Sequence, residues 1–277
     1  MEVHQVAGAL GAVIEGVDLR DPDFDFDGVH RALLEHEVVF FRGVHLSEAE
    51  HLQLGKRFGT PSIFPVARIL GATEPTMTVI ADGPDSRNAA DEWHTDVTWT
   101  ATPPDFALLH MEVAPAVGGD TLWCSATAAY SALSSAMQEF LCGLTVIHDN
   151  EGFIDGVYKK AGDTANDLAA ALRRDYPPVE HPMVRTHPDT GRRALFYARR
   201  FIREVKNLSA AESKAVLELI ASHINDPSLH CRWAWEPGDL AIWDERSTLH
   251  RAAADHWPQE RVVRRLEIDG TRPYFEA

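Results

Sequence analysis

Cysteine is scarce in this 277-residue chain. Cys124, Cys142 and Cys231 are its three cysteines, and no two of them have Cys-x-x-Cys spacing. An odd number without paired spacing argues against a disulfide framework and against a zinc ribbon. We therefore expect three reduced, buried thiols.

Basic residues are also scarce, since 26 Lys and Arg stand against 42 Asp and Glu, giving a net charge of −16. Nucleic acids are bound by basic surfaces, so this balance argues against a nucleic-acid partner. Most of the acidity is expected to be solvated surface. An anionic substrate would need specific buried arginines, because the overall field of the protein repels it.

Long hydrophobic runs are missing as well. The stretch EVVFF at 37–41 is far shorter than the roughly 20 residues that span a bilayer. The N-terminus lacks the basic start and apolar stretch of a secretory signal. These features predict a cytoplasmic enzyme with no membrane partner. They leave the oligomeric state open, with a homo-oligomer as one option.

The sequence does contain many short β-like runs, separated by turn signals such as TPP, HPDTGR and EPGD. Capping boxes, Ser47 with Glu50 and Ser209 with Glu212, predict the starts of two helices, and a third helix is predicted over 126–143. These helices do not alternate regularly with strands, as a doubly wound parallel sheet requires. We predict a mainly β fold with flanking helices and a jelly-roll or cupin-like core.

The sequence lacks features that mark a boundary between domains. No internal repeat, low-complexity tract or long linker marks a boundary, so residues 1–277 are predicted to form one domain. The polar, glycine-containing stretch 150–180 is predicted to be either a surface excursion or a lid.

Two copies of His-x-Asp raise the question of a metal site. With 14 histidines, about one or two matches are expected by chance. In the copy His187-Pro188-Asp189, the sequence Pro-Asp-Thr-Gly is typical of a turn, which predicts an exposed hairpin tip. In the copy at 94–96, Trp, Val and Thr flank His94 and Asp96 and favour a half-buried strand, so both side chains should point inward.

Two histidines and one carboxylate can hold a divalent iron while leaving positions open for substrate and oxygen. A histidine downstream of Asp96 must then supply the third ligand, and the candidates are His110, His148, His181, His223, His230, His250 and His256. The segment around His250 is the most informative, because the following strand carries Arg261 and Arg265 on one face. Such a pair suits anions in a cavity. A satisfied His–Asp pair in the core, without metal, is the alternative.

The motifs WHTDVTW, GGDTLW and WDERSTLH, followed by QERVVRRLEIDGTRPYF, resemble the taurine dioxygenase family of iron(II)- and 2-oxoglutarate-dependent oxygenases. The resemblance runs through nearly the whole chain, and it implies a double-stranded β-helix core. It implies hydroxylation of a substrate carbon, with 2-oxoglutarate and O2 as co-substrates. It also implies that His94, Asp96 and His250 bind Fe(II) and serve as the catalytic centre.

The same resemblance implies residues for the two organic ligands. Thr121 and Arg261 match the positions that bind the far carboxylate of 2-oxoglutarate, and Arg265 matches the arginine that grips the substrate anion. Val97 and Phe201 match substrate-pocket positions. The positions that depart from taurine-specific members are Phe64, Ala67, Ala90, Phe153 and Ile154, and Glu245 stands where many members have Asn.

Polar side chains that hold the amine of taurine are thus replaced by Phe and Ala. A substrate group left without its hydrogen bonds costs on the order of 1–3 kcal/mol each. We therefore expect a small anionic organic substrate that is more apolar than taurine: a sulfonate, a sulfate ester or a carboxylate. The alternatives are a taurine dioxygenase proper, a His2Asp zinc hydrolase, and a non-catalytic module that binds metal.

Overall fold

The computed structural model describes residues 1–75, 77–86, 90–155 and 165–277. The strands are β1 (Glu2–Gln5), β2 (Ala12–Glu15), β3 (Val38–Phe41), β4 (Thr78–Asp82), β5 (Phe106–Val113), β6 (Thr121–Ser125), β7 (Thr145–His148), β8 (Val179–Pro182), β9 (Val184–Thr186), β10 (Arg193–Leu195), β11 (Ile202–Val205), β12 (His230–Trp233), β13 (Leu240–Asp244), β14 (Thr248–Ala252) and β15 (Arg261–Ile268). The helices are α1 (Phe26–His36), α2 (Glu48–Phe58), α3 (Pro65–Ile69), α4 (Ala126–Ser131), α5 (Ser135–Cys142), α6 (Ala165–Asp175) and α7 (Ala210–His223).

Two sheets pack against each other and form the centre of the fold. The large sheet has the strand order β1-β2-β3-β13-β5-β15-β4, and the small sheet has the order β12-β6-β14. Neighbouring strands in both sheets are antiparallel, apart from the parallel pair β2 and β3. Trp123 of the small sheet meets Phe40 and Trp243 of the large sheet, with ring centroids 5.3 and 5.7 Å apart. Inward-facing aromatic residues therefore fill the space between the sheets.

Helices cover the other face of the large sheet. Val29 and Leu33 of α1 and Leu54 of α2 are buried with Leu266 of β15 in one apolar cluster. A Cβ atom at Gly55 would lie 2.3 Å from a methyl carbon of Leu266, so glycine lets α2 approach the sheet closely. Among the residues that the structure describes, no helix is long and apolar enough to cross a membrane.

Most predicted elements are present. Both capping boxes form, at Ser47 before α2 and at Ser209 before α7, and the mostly antiparallel sheet with flanking helices is confirmed. The single helix predicted over 126–143 was wrong, because this stretch holds α4 and α5. Ser134 begins α5 by accepting a hydrogen bond from the N–H of Met137, so a new helix starts there.

The three cysteines are free, as expected. Cys124 and Cys231 are buried, and Cys142 is partly buried. Burial raises the pKa of the Cys231 thiol to about 12, so this side chain is un-ionised and behaves as a small apolar group.

Candidate metal centre

His94 and His250 are brought together by a single β-bridge. The N–H of His94 donates to the carbonyl of His250 at 3.1 Å, and the N–H of His250 donates back at 2.8 Å. The strand predicted around His94 was otherwise wrong: residues 96–99 form a turn, and Val97 has a φ of 51°. A positive φ at a β-branched residue is incompatible with an extended strand, so the extended chain does not continue past the bridge.

Three side chains converge at this bridge, and one donor atom from each lies within 4.8 Å of the others. His94 Nε2 lies 3.6 Å from Asp96 Oδ1, and His250 Nε2 lies 3.8 Å from Asp96 Oδ2. Donor atoms bound to one ion at about 2.1 Å can be at most about 4.2 Å apart, so these separations fit a single metal ion. His94 Nδ1 is 2.8 Å from the carbonyl of Glu92, which keeps the proton on Nδ1 and leaves Nε2 as the metal donor.

The ionisation of the three side chains also suits a metal. Burial opposes a charge on Asp96, but Arg265 and the two histidines outweigh it and hold the pKa of that carboxyl well below its usual range. Burial, aided by His94, lowers the pKa of His250 to about 3, so its imidazole is neutral near pH 7. An ionised carboxylate and a neutral imidazole are the forms that bind a metal ion.

Thr121 and Arg261, the predicted 2-oxoglutarate residues, meet beside the metal centre. Thr121 pairs with Ala252, two residues beyond His250 on β14. Arg261 Nη2 donates to the Thr121 hydroxyl at 3.5 Å, and its Nε donates to the carbonyl of Gly119 at 2.9 Å. Arg261 is 4% exposed, and burial lowers its pKa although the charges of Asp82 and Asp120 oppose this shift. This buried cation is suited to an anionic ligand.

Arg265, which was predicted to bind the substrate anion, contacts Asp96, one of the three candidate metal ligands. Its Nη1 donates to Asp96 Oδ2 at 2.8 Å, and its Nη2 lies 3.1 Å from Glu267 Oε1. Within the described chain, its buried Nε has no hydrogen-bond partner. Both terminal nitrogens therefore face protein carboxylates, and Nε remains as a donor.

The predicted substrate-pocket residues share one apolar cluster, which we call the apolar pocket cluster. Val97 and Phe201 are buried in it, and Phe64 packs against them. Its other members are Trp99, Ile154, Ala169, Leu172, Ala198, Val66, Ile69, Phe153, Leu168 and Tyr176. Because Val97 directly follows Asp96, this cluster begins next to the metal donors. Ala67 and Ala90, the other departures from taurine-specific members, lie on α3 and opposite Ala252, respectively.

The segment 150–180 contributes to this cluster. Asn150 Nδ2 donates to the carbonyls of Leu172 and Tyr176, which joins the start of the segment to the end of α6. Ile154 and Leu172 are buried in the apolar pocket cluster. Residues 156–164 of the predicted excursion or lid lie outside the described residues.

The second His-x-Asp copy is a hairpin turn between β9 and β10, as predicted, but its histidine is not exposed. His187 is 1% exposed, and its Nε2 donates to Asp244 at 2.9 Å. The N–H groups of Asp189 and Thr190 both donate to Nδ1 of His187. The turn thus folds its own histidine inward, while Asp189 pairs with Arg246 at 2.8 Å. This copy has a structural role.

Two buried acids near the metal centre were not assigned a role from the sequence. Glu245 is 1% exposed, and Glu267 is 6% exposed. Burial, together with Asp96, raises the pKa of Glu245 well above its usual range, and burial raises the pKa of Glu267 to about 7. In the sequence, Glu245 stood out only as a departure from the family motif, and nothing singled out Glu267.

The comparisons with known proteins agree with this site. The model of the taurine catabolism dioxygenase TauD, TfdA family matches residues 2–266, and the chain belongs to that family. An alpha-ketoglutarate-dependent sulfate ester dioxygenase of Pseudomonas putida is 36% identical, over 99% of this chain and 91% of the relative. An alkylsulfatase of Acinetobacter baylyi is 32% identical, over 98% of this chain and 85% of the relative.

A solved structure supports the same assignment. A taurine dioxygenase from Burkholderia xenovorans has a TM-score of 0.80 and is 30% identical, covering 98% of this chain and 92% of that one. The family prediction is confirmed, and the chain is a 2-oxoglutarate-dependent dioxygenase whose cofactor is Fe(II) and whose co-substrates are 2-oxoglutarate and O2.

Proposed function

We propose that this dioxygenase hydroxylates a carbon atom of a small anionic substrate, with His94, Asp96 and His250 holding the iron. The observation that carries the proposal is the convergence of three donor side chains, of which Asp96 and His250 are buried, beside the buried Arg261 and Thr121 pair. Iron held by these residues would activate O2, which is the oxidant, while 2-oxoglutarate and the substrate would each supply two electrons. The chain binds and orients the reactants and excludes water.

Each ligand has its own group of residues in this proposal. Arg261 and Thr121 bind the far carboxylate of 2-oxoglutarate, since the buried guanidinium and the hydroxyl lie 3.5 Å apart and can donate to one anion together. Arg265 orients the anionic head of the substrate toward the metal centre. Val97, Phe201 and Phe64 receive the apolar part of the substrate and keep water away from it.

The substrate class follows from the lining of the pocket. An arginine beside an apolar cluster suits an anion with an alkyl or aryl body, such as a sulfate ester, a sulfonate or a carboxylate. The relatives named for a sulfate ester and for an alkylsulfatase activity support this class. Taurine, whose amine needs polar partners, fits this lining poorly.

A panel of substrates tests the proposal, with 2-oxoglutarate-dependent succinate release as the measurement. The panel contains alkyl sulfates and alkanesulfonates of increasing chain length, a phenoxycarboxylate, and taurine. Each added CH2 that enters the pocket contributes about 0.8 kcal/mol, so KM should fall roughly fourfold per CH2 until the pocket is full. Efficient turnover of taurine, with none of the alkyl compounds, would contradict the assignment.

The zinc hydrolase alternative gives no role to Arg261 and Thr121. Metal analysis with an oxygen-uptake assay separates the two, because a hydrolase consumes no O2. The oxygen-uptake assay also distinguishes the dioxygenase from a non-catalytic metal-binding module, because such a module consumes no O2.

We also propose that the two packed sheets form a double-stranded β-helix and that residues 1–277 act as one catalytic domain. The aromatic contacts between the large and small sheets support this core. The cytoplasmic location stays a prediction, and the three free cysteines support it because thiols persist in reducing compartments.

A further inference from the structure

Glu245 lies directly behind the metal ligands and touches two of the groups that position them. Its Oε2 accepts a hydrogen bond from the backbone N–H of Asp96 at 3.1 Å. Its Oε1 accepts from Trp243 Nε1 at 2.7 Å and lies 4.0 Å from Nδ1 of His250. Glu245 is 1% exposed, so its carboxyl group is shielded from bulk water.

Glu245 is placed to support the ligands rather than to join them. Around the metal centre, the donor atoms that lie close enough to share one ion come from His94, Asp96 and His250, and Glu245 does not belong to that group. Glu245 instead faces Nδ1 of His250, while Nε2 of the same ring faces Asp96. The two nitrogens point in opposite directions, so Glu245 is on the side of the ring away from the metal.

His250 lacks a partner that a metal-bound histidine normally has. Its Nδ1 is buried without a hydrogen-bond partner among the described residues. When Nε2 binds a metal, Nδ1 carries the proton, and in most metal sites that N–H donates to a carboxylate or a carbonyl. Glu245 Oε1 would need to approach by about 1 Å to accept this hydrogen bond.

Three N–H groups thus converge on one side chain: the Asp96 amide, the Trp243 indole and the His250 imidazole. The two side-chain oxygens of a glutamate offer acceptor positions to all three N–H groups. An amide at this position would have a single acceptor oxygen, and its NH2 group would face an N–H donor.

We propose that Glu245 is a positioning residue of the metal centre, which fixes the Asp96 backbone and accepts the Nδ1–H of metal-bound His250. The inference rests on the proposed function, because it takes His94, Asp96 and His250 as the ligands. Its consequence is a higher affinity for the metal than the same three ligands would have with an amide at this position.

Anaerobic titration of the full-length chain with Co(II) tests the inference, with the dissociation constant and the visible absorption spectrum as readouts. Glu245→Gln keeps the size of the side chain but exchanges an acceptor for a donor. Loss of such an outer partner typically weakens metal binding 10- to 100-fold, so we expect the Co(II) Kd to rise by that factor and the spectrum to change. A Kd within twofold of wild type and an unchanged spectrum would overturn the inference.

Matched variants separate positioning from folding. Glu37 is another buried glutamate, bonded to Thr127 and paired with Arg192, and no metal ligand contacts it. Glu37→Gln should lower the melting temperature and leave the Co(II) Kd and spectrum as in wild type. If Glu245→Gln does not fold, Glu245→Asp and Glu245→Asn form an isosteric pair. The carboxylate variant should then bind Co(II) more tightly, and equal affinities would overturn the inference.

Failure of the proposed function gives a different result. If His94→Ala binds Co(II) as tightly as wild type, the ligand assignment itself is wrong. If His94→Ala loses Co(II) while Glu245→Gln binds it normally, the ligands stand and the role of Glu245 is rejected.

Discussion

Arg265 connects a metal ligand to a second buried carboxylate. Its Nη1 donates to Asp96, and its Nη2 lies 3.1 Å from Glu267. A substrate anion that uses Arg265 must therefore share the guanidinium with Glu267. Because burial raises the pKa of Glu267 to about 7, this competition depends on pH near neutrality.

We expect the KM of wild type for an anionic substrate to rise between pH 6 and pH 8. Glu267 is neutral below pH 7 and competes for Arg265 above it, so KM should rise by up to about tenfold at pH 8. Glu267→Gln should give a flat profile at the lower value. Steady-state kinetics at several pH values measure both, and the KM for 2-oxoglutarate serves as the internal control. Identical profiles for the two proteins would disprove the competition.

At the residue scale, the sequence predicted which side chains meet but not what surrounds them. The pairing of His94 with Asp96 and their link to His250 followed from local flanks and from the family motifs. The partners of Glu245 could not be predicted, because its bond to the Asp96 amide joins residues 149 positions apart. Such a contact depends on how two loops pack, and no local pattern encodes it.

Individual elements were predictable where their ends carry a chemical signal. Ser47 and Ser209 cap α2 and α7 as the sequence indicates, since a capping box is a local motif. Residues 91–100 resembled a strand because Trp, Val and Thr favour pleated surfaces. They form a bridge and a turn instead, since tertiary contacts with β14 outweigh that preference.

Helix α6 provides a prediction at this scale, because Leu172 is fully buried in the apolar pocket cluster. Leu172→Ala should lower the free energy of unfolding by about 2–5 kcal/mol. It should also raise the KM for the substrate more than the KM for 2-oxoglutarate, since the cavity opens beside the apolar pocket. Urea unfolding and steady-state kinetics measure the two effects.

Arg174→Ala is the matched control on the same helix. Arg174 is largely exposed and pairs with its neighbour Asp175, so its loss should change stability by less than about 0.5 kcal/mol and leave both KM values unchanged. If both variants behave alike, α6 does not support the pocket.

At the scale of the whole molecule, the pH dependence of stability comes from groups whose pKa differs between the folded and the unfolded chain. Glu37 is buried where β3 begins, and burial raises its pKa from 4.5 to about 7 despite hydrogen bonds from hydroxyl groups. The unfolded chain therefore binds fewer protons than the folded chain between these two values. Stability from this group must fall as pH rises from 4.5 to 7.

We expect the stability difference between wild type and Glu37→Gln to shrink by about 3 kcal/mol over that range, since 2.5 pH units separate the two pKa values. Buried histidines such as His51 act in the opposite direction, because burial lowers the pKa of His51 to about 3. They are common to both proteins, so their effect cancels in the difference. Urea unfolding at pH 5, 6, 7 and 8 measures the stability difference between the two proteins. Parallel pH profiles would contradict a raised pKa at Glu37.

The architecture as a whole was predictable only in outline. Many short strands indicated a mainly β fold, but β13 pairs with β3 and β5, partners that lie far away in the sequence. The register between such strands depends on which side chains are buried on each face of the sheet, and the sequence of one strand alone does not show this. The same long-range pairing aligns β6 with β14 and places Thr121 near His250.

The count of Fe(II) ions bound per chain tests the central claim most directly. Wild type should bind one ion under anaerobic conditions, and His94→Ala should bind none at micromolar metal. His187→Ala, in the other His-x-Asp copy, should bind one ion as wild type does, although losing the bond to Asp244 lowers its stability. Stoichiometric iron in His94→Ala would contradict the account.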